Sequence, residues 1–165
     1  MSELAIISLG SNKGDWELIF HSAQIALSKL GEINLVSQVY KTEPWGVKNQ
    51  PWFKNQIIGI KTILKPITLL EQLLTIETTN GRNRALEKKW GQRSLDLDII
   101  YYGNEVINSA DLTVPHPHLQ ERNFILQPLL KIYPSFIHPI LQLNTKELIK
   151  ACNDRTVVKK IKHKK

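Results

Sequence analysis

An apolar stretch that carries two aspartates, residues 95–102, constrains the fold of this chain more than any other feature. Leu95 and Leu97 alternate there with Asp96 and Asp98. Because successive side chains of a β-strand point to opposite faces of a sheet, the leucines would face a core. Both carboxylates would lie on the other face, roughly 6–7 Å apart along the strand. The pattern therefore predicts a sheet with a core on one side and a carboxylate pair on the other.

Two ionised carboxylates this close repel each other at pH 7 unless a cation lies between them. Oxygen ligands favour Mg²⁺, which takes one or two protein carboxylates and completes its shell with water and phosphate oxygens. The loop before the strand carries five cations against one acid, Glu87; the cations are Arg82, Arg84, Lys88, Lys89 and Arg93. Taken singly, an Asp-x-Asp pair or a charged loop is more often solvated surface, but together they favour a magnesium–nucleotide site.

Length and composition narrow the class of protein. The 165 residues suffice for one domain with a core, and a single Cys152 rules out an intramolecular disulfide framework. No apolar segment reaches the roughly 20 residues needed to cross a bilayer, and no signal-peptide pattern precedes the first predicted strand. We therefore expect a cytoplasmic protein with no membrane partner. No self-complementary apolar face is evident, so we expect a monomer.

The net charge of +7 raises the question of nucleic-acid binding. Five lysines lie in residues 159–165, and the rest of the chain carries only +2. We expect residues 1–158 to form a single domain and residues 159–165 to form a frayed lysine-rich tail. The remaining positive charge gathers in the loop 82–93, which suits a small polyanion better than a duplex. No nucleic-acid partner is expected.

Hydrophobic periodicity predicts the order β-α-β-β-α-β, followed by additions. The predicted strands are 4–9, 33–41, 53–64 and the aspartate-bearing stretch; the predicted helices are 16–30, 66–81, part of 119–132, and 145–152. Asp15 is expected to cap the first helix and Gly31 to end it, and Ile63 is expected to reach the core. Gly103 and the residue after it are expected to turn a hairpin into 105–107, and Pro128 is expected to interrupt its helix.

This order predicts an α+β protein with a ferredoxin-like βαββαβ core, in which helices cover both faces of an antiparallel sheet as three α-β-α layers. Such folds host many functions, including RNA binding. A non-catalytic nucleotide- or RNA-binding domain is therefore an alternative, although the first predicted strand lacks the aromatic residues that stack on bases. A two-metal phosphohydrolase is a third candidate, but no clear water-activating base accompanies Asp98.

Several motifs share the order and spacing of one enzyme family. They are Leu9-Gly10-Ser11-Asn12, Tyr40-Lys41-Thr42-Glu43-Pro44, Gln50-Pro51 with Asn55, Ile76-Glu77 with Gly81-Arg82, Trp90-Gly91 with Arg93-Ser94-Leu95-Asp96-Leu97-Asp98, Gly103-Asn104-Glu105-Val106, and Leu112-Thr113-Val114-Pro115-His116 with Arg122 and Phe124. Over roughly residues 4–135, the chain resembles 6-hydroxymethyl-7,8-dihydropterin pyrophosphokinase, an enzyme of folate biosynthesis. The resemblance implies transfer of a pyrophosphoryl group from ATP to the pterin hydroxymethyl oxygen, with release of AMP.

The resemblance also implies a role for individual residues. Asp96 and Asp98 would hold two Mg²⁺ ions that bridge the triphosphate oxygens. The catalytic set would be Arg82, Arg84, Arg93, Asp96 and Asp98. The ATP-binding set would be Glu77, Arg82, Arg84, Lys89, Trp90, Arg93, Ile99, Thr113, His116 and Arg122, with Lys88 an alternative to Lys89.

The pterin-binding set implied by the resemblance is Thr42, Glu43, Trp45, Phe53, Asn55, Trp90, Asp96 and Phe124. Phe53 and Phe124 would sandwich the flat ring system, and Asn55 would read its edge with both an amide donor and an acceptor. Trp90 would close the loop over the bound substrates, with Gly81 and Gly91 as hinges.

Overall fold

A six-stranded antiparallel sheet forms the centre of the computed structural model, which describes residues 1–162. The strands are β1 (Glu3–Ser11), β2 (Glu32–Val36), β3 (Tyr40–Thr42), β4 (Phe53–Thr62), β5 (Asp96–Tyr102), β6 (Ile107–Asn108), β7 (Thr113–Val114) and β8 (Val158–Lys160). The helices are α1 (Trp16–Ser28), α2 (Pro66–Thr79), α3 (Asn123–Ile132) and α4 (Thr145–Ala151), with a 3₁₀ turn at Leu119–Glu121. The α+β mixture with an antiparallel sheet therefore agrees with the sequence.

The main sheet has the order β5-β1-β4-β3-β8, and β2 pairs with the other end of β4; β6 and β7 form a separate small sheet. The central strand β1 pairs with both β4 and β5. This register sets Gly10 opposite Asn55 on one side and opposite Asp96 on the other. Three strands thereby bring residues distant in sequence into one row.

Helices pack on both faces of the sheet. Ala5, Ile7 and Leu9 of β1 lie in a core cluster with buried side chains of α1 and α2, and Ile6 lies in a second cluster with side chains of α3 and α4. The alternation along β1 explains this division, since neighbouring side chains of a strand point to opposite faces. Burying each large aliphatic side chain contributes about 1.5–3 kcal/mol to the stability of both clusters.

The first helix begins as the sequence predicts and ends earlier. The Asp15 carboxylate accepts hydrogen bonds from the backbone N–H groups of Glu17 and Leu18, which would otherwise lack partners. Lys29, not Gly31, is the C-terminal cap, so the expectation for Gly31 is wrong. A side chain at Gly31 would collide with the carbonyl oxygen of Lys61, and close approach between chain segments is the physical reason for glycine there.

Two expectations are wrong, one for the strand predicted before β4 and one for the end of β4. The predicted strand 33–41 is two strands, because Ser37 interrupts the ladder: its hydroxyl accepts a hydrogen bond from the Ile57 N–H. Ile63 is 79% exposed, since β4 ends at Thr62 before the apolar pattern ends. Pro66 occupies the first turn of α2, as expected.

Two further expectations concern turns and proline. Gly103 does make a turn after β5, but the residues beyond it enter β6, which pairs with β7 and not with β5. Pro128 lies inside α3 and does not interrupt it. Its ring is buried there, so packing outweighs the backbone hydrogen bond that a proline cannot donate.

The lysine-rich segment begins as an edge strand. Lys159 and Lys160 belong to β8, which pairs with β3, so the expectation that they are frayed is wrong. Residues 163–165, the end of the predicted tail, lie outside the described residues, and the division of the chain at residue 158 stays a prediction. None of the helices among residues 1–162 has the length and apolar character needed to span a membrane.

Replacing Asp15 with alanine removes the cap of α1 while leaving the cleft described below untouched. We expect the free energy of unfolding to fall by about 1 kcal/mol, because two backbone N–H groups lose their acceptor. Urea denaturation measures this change. Asp15→Asn is the matched control, since asparagine caps as well as aspartate; an equal loss in both variants would contradict the capping explanation.

Candidate active site

The floor of a cleft lies where β4, β1 and β5 run side by side. Gly10 sits between Asn55 and Asp96, and in the next row Ser8 sits opposite Asp98. Both aspartates lie on the face opposite Leu95, Leu97 and Ile99, as the alternation predicts. A Cβ atom at Gly10 would come within 2.9 Å of the Asn55 Oδ1, so glycine at this position keeps the floor open.

Loops and the start of α3 form the walls of this cleft, whose volume is about 520 Å³. It is lined by Ser8, Gly10, Thr42, Glu43, Trp45, Phe53, Asn55, Arg82, Arg84, Glu87, Lys88, Lys89, Trp90, Arg93, Asp96, Asp98, His116, Pro117, His118, Arg122 and Phe124. All eight residues expected to bind pterin line it. So do the residues expected to act on phosphate, among them both Lys88 and Lys89, so the choice between these two lysines stays open.

Three residues expected to bind ATP do not line the cleft among the described residues. Ile99 is 3% exposed and packs in the core beneath the sheet. Thr113 is exposed on β7. Glu77 is buried below the cleft floor, at 1% exposure.

Glu77 holds together parts of three elements. One carboxylate oxygen accepts the backbone N–H of Leu97 at 2.7 Å, and the other accepts the Arg84 guanidinium at 2.7 Å. A guanidinium nitrogen of Arg82 lies 3.6 Å away. Burial, and then the negative charge of Asp96, raise the pKa of Glu77, whereas these hydrogen bonds oppose the rise. Glu77 therefore supports the cleft from below.

Arg82 lies at the centre of an ionic cluster. Its Nε donates to Glu87 at 2.6 Å, and its Nη1 donates to Asp96 at 3.0 Å and to the Leu95 carbonyl at 3.1 Å. Arg93 donates to the second oxygen of Asp96 at 3.2 Å. Asp96 is thus flanked by two arginines, and charge-assisted hydrogen bonds of this kind are the stronger class in proteins.

The two aspartates occupy opposite electrostatic environments. Burial alone would raise the pKa of Asp96, but the charges of Arg93 and Arg82 outweigh burial and lower it. Burial, and then the negative charge of Asp96, raise the pKa of Asp98 to about 7. The positive charges of Arg122 and Arg93 lower the pKa of Asp98 but do not offset burial and the charge of Asp96.

His116 directs an N–H group into the cleft. Burial, with the charges of Arg122 and His118, lowers the pKa of His116 to about 4, so its ring is neutral at pH 7. Its Nδ1 accepts the backbone N–H of His118 at 3.1 Å, and a neutral imidazole must then carry its proton on Nε2. That Nε2 lies 3.9 Å from an Asp98 oxygen, which makes it a donor toward any anion bound beside Asp98.

Aromatic rings hold Arg122 in place over the cleft. Its guanidinium lies 4.7 Å from the Trp45 ring centroid and 5.6 Å from that of Phe124. Arg122 is buried, and its Nε has no hydrogen-bond partner within residues 1–162. A buried donor without a partner is costly, and an anion in the cleft would satisfy it.

Sequence reasoning assigned no role to Asn12 or Gln50, although both lie in the quoted motifs. Asn12 donates to the Gln50 side chain at 2.9 Å and accepts the Arg93 backbone N–H at 2.9 Å. Gln50 donates to the Trp90 carbonyl at 2.7 Å. Trp90 has a positive φ of 59°, a strained conformation for a bulky residue, and also packs edge-on against Trp45. These contacts tie the loop 82–93 to two other loops.

Comparison with known proteins identifies the family. The family model described as 7,8-dihydro-6-hydroxymethylpterin-pyrophosphokinase matches residues 6–134. The chain belongs to this family. The chain is 40% identical over 157 residues to a Haemophilus influenzae protein named 2-amino-4-hydroxy-6-hydroxymethyldihydropteridine pyrophosphokinase. The match covers 94% of this chain and 96% of that protein.

Two larger proteins are also similar to this chain. A Pneumocystis carinii folic acid synthesis protein is 39% identical over 144 residues, 87% of this chain but 19% of that protein. Crystal structures of Plasmodium falciparum HPPK-DHPS share the fold, with a TM-score of 0.74 at 16% identity over 92% of this chain and 45% of that one. The named relatives confirm the prediction of an enzyme and do not favour a non-catalytic binding domain.

The cleft offers few protein ligands for a metal. Across residues 1–162, no group of three or more His, Cys, Asp or Glu side chains is arranged to hold a metal ion. The pair Asp96 and Asp98 still suits Mg²⁺, which needs only one or two protein carboxylates when phosphate oxygens complete its shell. The raised pKa of Asp98 marks where the added positive charge would be favourable.

Replacing Glu77 with alanine should reduce the free energy of unfolding by about 1–3 kcal/mol, because the buried Leu97 N–H would lose its charged acceptor, whereas Arg82 keeps Glu87 and Asp96. Urea denaturation measures the loss. Glu71→Ala, on the exposed face of the same helix, is the control and should change stability by less than about 0.5 kcal/mol. An unchanged stability in Glu77→Ala with weakened ATP binding would instead make Glu77 a direct ATP ligand.

Divalent-cation binding should depend on pH through Asp98. A metal must displace the proton from a group whose pKa is about 7, so Mn²⁺ affinity should fall about tenfold from pH 8 to pH 6. Electron paramagnetic resonance of Mn²⁺, a stand-in for Mg²⁺, measures this affinity. Asp98→Asn should bind weakly at both pH values; a pH-independent affinity in the wild type would contradict the account.

The Asp98 carboxyl should also make the stability of the metal-free protein depend on pH. The folded pKa of Asp98 lies above its ordinary value of 3.8, so the neutral carboxyl favours the folded protein. Its contribution is complete below about pH 4 and is lost as the pH rises to about 7. In the presence of a chelator, the wild type should therefore lose more stability than Asp98→Asn between pH 5 and pH 8.

Proposed function

We propose that this protein transfers a pyrophosphoryl group from magnesium-bound ATP to 6-hydroxymethyl-7,8-dihydropterin, giving AMP and the pterin pyrophosphate. One observation carries the proposal: a single cleft joins a carboxylate pair and buried arginines to a slot formed by an amide and aromatic rings. The names of the relatives agree with this reaction and with a place in folate synthesis.

The pterin slot lies at the Gly10 end of the floor. Phe53 and Phe124 line the cleft and would stack on the two faces of the flat ring system. Asn55, which donates to the Thr42 hydroxyl at 2.6 Å, is thereby oriented to read the donor and acceptor edge. Backbone groups of Glu43 and Trp45, and the ring of Trp90, would complete the slot beside Asp96.

The phosphate region lies on the side of the loop 82–93. Arg82, Arg84, Lys89, Arg93, His116 and Arg122 would bind the triphosphate oxygens. Glu77 would act from beneath by holding Arg84. The roles in ATP binding that the resemblance implies for Ile99 and Thr113 have no support from the cleft, which neither residue lines among residues 1–162.

The reaction needs positioning and charge neutralisation more than covalent chemistry. The pterin hydroxyl oxygen attacks the β-phosphorus, the bond from that phosphorus to the oxygen bridging the α-phosphorus breaks, and AMP leaves as the hydroxyl proton is released. Asp96 and Asp98 would hold two Mg²⁺ ions, which would supply positive charge to neutralise the triphosphate and orient it for an in-line attack. The arginines stabilise charge on the transferred group, and neutral His116 donates a hydrogen bond from Nε2.

We further propose a fold class, a cellular location and an oligomeric state for the protein. The order β5-β1-β4-β3, with crossovers through α1 and α2, supports a ferredoxin-like core of three layers. We also propose that the protein acts in the cytoplasm as a monomer on these two small substrates.

Loss of either carboxylate should remove turnover. Asp96→Asn and Asp98→Asn should lower the rate of pterin-dependent AMP formation by roughly a thousandfold, since metal-borne charge stabilisation supplies several kcal/mol. Asp111→Asn, an exposed aspartate away from the cleft, is the control for the change of charge. Folded Asp variants that retain the wild-type rate and Mg²⁺ requirement would overturn the assignment of the metal site.

A further inference from the structure

We propose that Glu87 is a positioning residue that holds Arg82 in place of a phosphate while the cleft is empty, and that it gives up this guanidinium when ATP binds. The proposal rests on the proposed function, because it names the step by which the nucleotide gains access to Arg82. Glu87 then sets the affinity for ATP without taking part in the transfer.

The Glu87 carboxylate occupies a donor set suited to a phosphate oxygen. One of its oxygens accepts the Arg82 Nε–H at 2.6 Å, and the other accepts the backbone N–H of Asn83 at 3.1 Å. A cationic fork beside a backbone amide is a common way to bind a phosphate. The side chain of Glu87 also lines the cleft itself.

Of the three described carboxylates around Arg82, Glu87 is the one carried by a loop, and its backbone donor, Asn83, lies in the same loop. Glu77 is anchored on α2 by the Leu97 N–H, and Asp96 is fixed at the start of β5. Glu87 lies on the loop 82–93, outside any helix or strand, with 14% of its side chain exposed. Because Arg82 itself is only 8% exposed and already faces three acids, an entering triphosphate would crowd further negative charge against Glu87.

Exchange of one anion for another follows from this arrangement. ATP must break the charge-assisted pair between Glu87 and Arg82. The free energy needed to break this pair reduces the net affinity for ATP. Removing the charge of Glu87 should therefore tighten nucleotide binding by about tenfold, the range expected for one such hydrogen bond. The affinity for pterin should stay within about twofold, because Glu87 hydrogen-bonds to Arg82 and to Asn83, neither of which is assigned to the pterin slot.

The inference is tested on the full chain by calorimetric titration with the magnesium complex of α,β-methylene-ATP. In this analogue a methylene group replaces the oxygen between the α- and β-phosphorus atoms, so the bond that breaks in the reaction is not cleaved. Glu87→Gln should bind about tenfold tighter than the wild type, and Glu87→Asp, which keeps the charge, should stay closer to the wild type. Glu71→Gln, an equal change of charge on exposed α2, should leave the affinity unchanged. Equal or weaker binding by Glu87→Gln would overturn the inference.

The Arg82 Nε–H resonance gives a second, direct readout. Its chemical shift in the free protein should differ between the wild type and Glu87→Gln, and the two should converge once the analogue is bound, because Glu87 has then left. A chemical-shift difference between the two proteins that persists in the bound state would show that Glu87 stays hydrogen-bonded to Arg82, which would overturn the inference. Failure of the wild type to bind the analogue at all would instead overturn the proposed function, and this inference with it.

Discussion

The pairing of β1 with both β4 and β5 is the constraint on which the cleft depends. It places Gly10 between Asn55 and Asp96, so that the carboxylate pair and the pterin slot share one floor although their residues lie far apart in sequence. A shift of one residue in either register would turn these side chains into the core beneath the sheet. Core packing against α1 and α2 therefore fixes the geometry of the site as well as the fold.

Charge is distributed unevenly across this floor, and the imbalance gives the site its chemistry. Asp96 is surrounded by arginines and stays ionised, whereas burial and the neighbouring charge of Asp96 raise the pKa of Asp98 to about 7. Within residues 1–162 the buried Arg122 Nε lacks a hydrogen-bond partner, and the Nδ1 contact of neutral His116 leaves its proton on Nε2, so both side chains can donate to an anion. The cleft is arranged to receive cations beside Asp98 and anions beside the arginines.

The sequence was sufficient for features that depend on local pattern. Alternation correctly placed Asp96 and Asp98 on one face, and Asp15 capped its helix as expected. Long-range contacts could not be predicted from the sequence. The hydrogen bond from the Arg93 N–H to Asn12 joins residues 81 positions apart, and no local pattern encodes that contact. Ile63 was misassigned because the apolar pattern runs past the last residue that β4 pairs.

The fate of each phosphorus atom of ATP tests the central claim most directly. Label at the β and γ positions should appear together in the pterin product, and label at the α position should appear only in AMP. No label should move without the pterin. Transfer of the γ label alone, with ADP as the other product, would contradict the central claim. Release of labelled inorganic phosphate without pterin would contradict it as well, and would make the cleft that of a hydrolase.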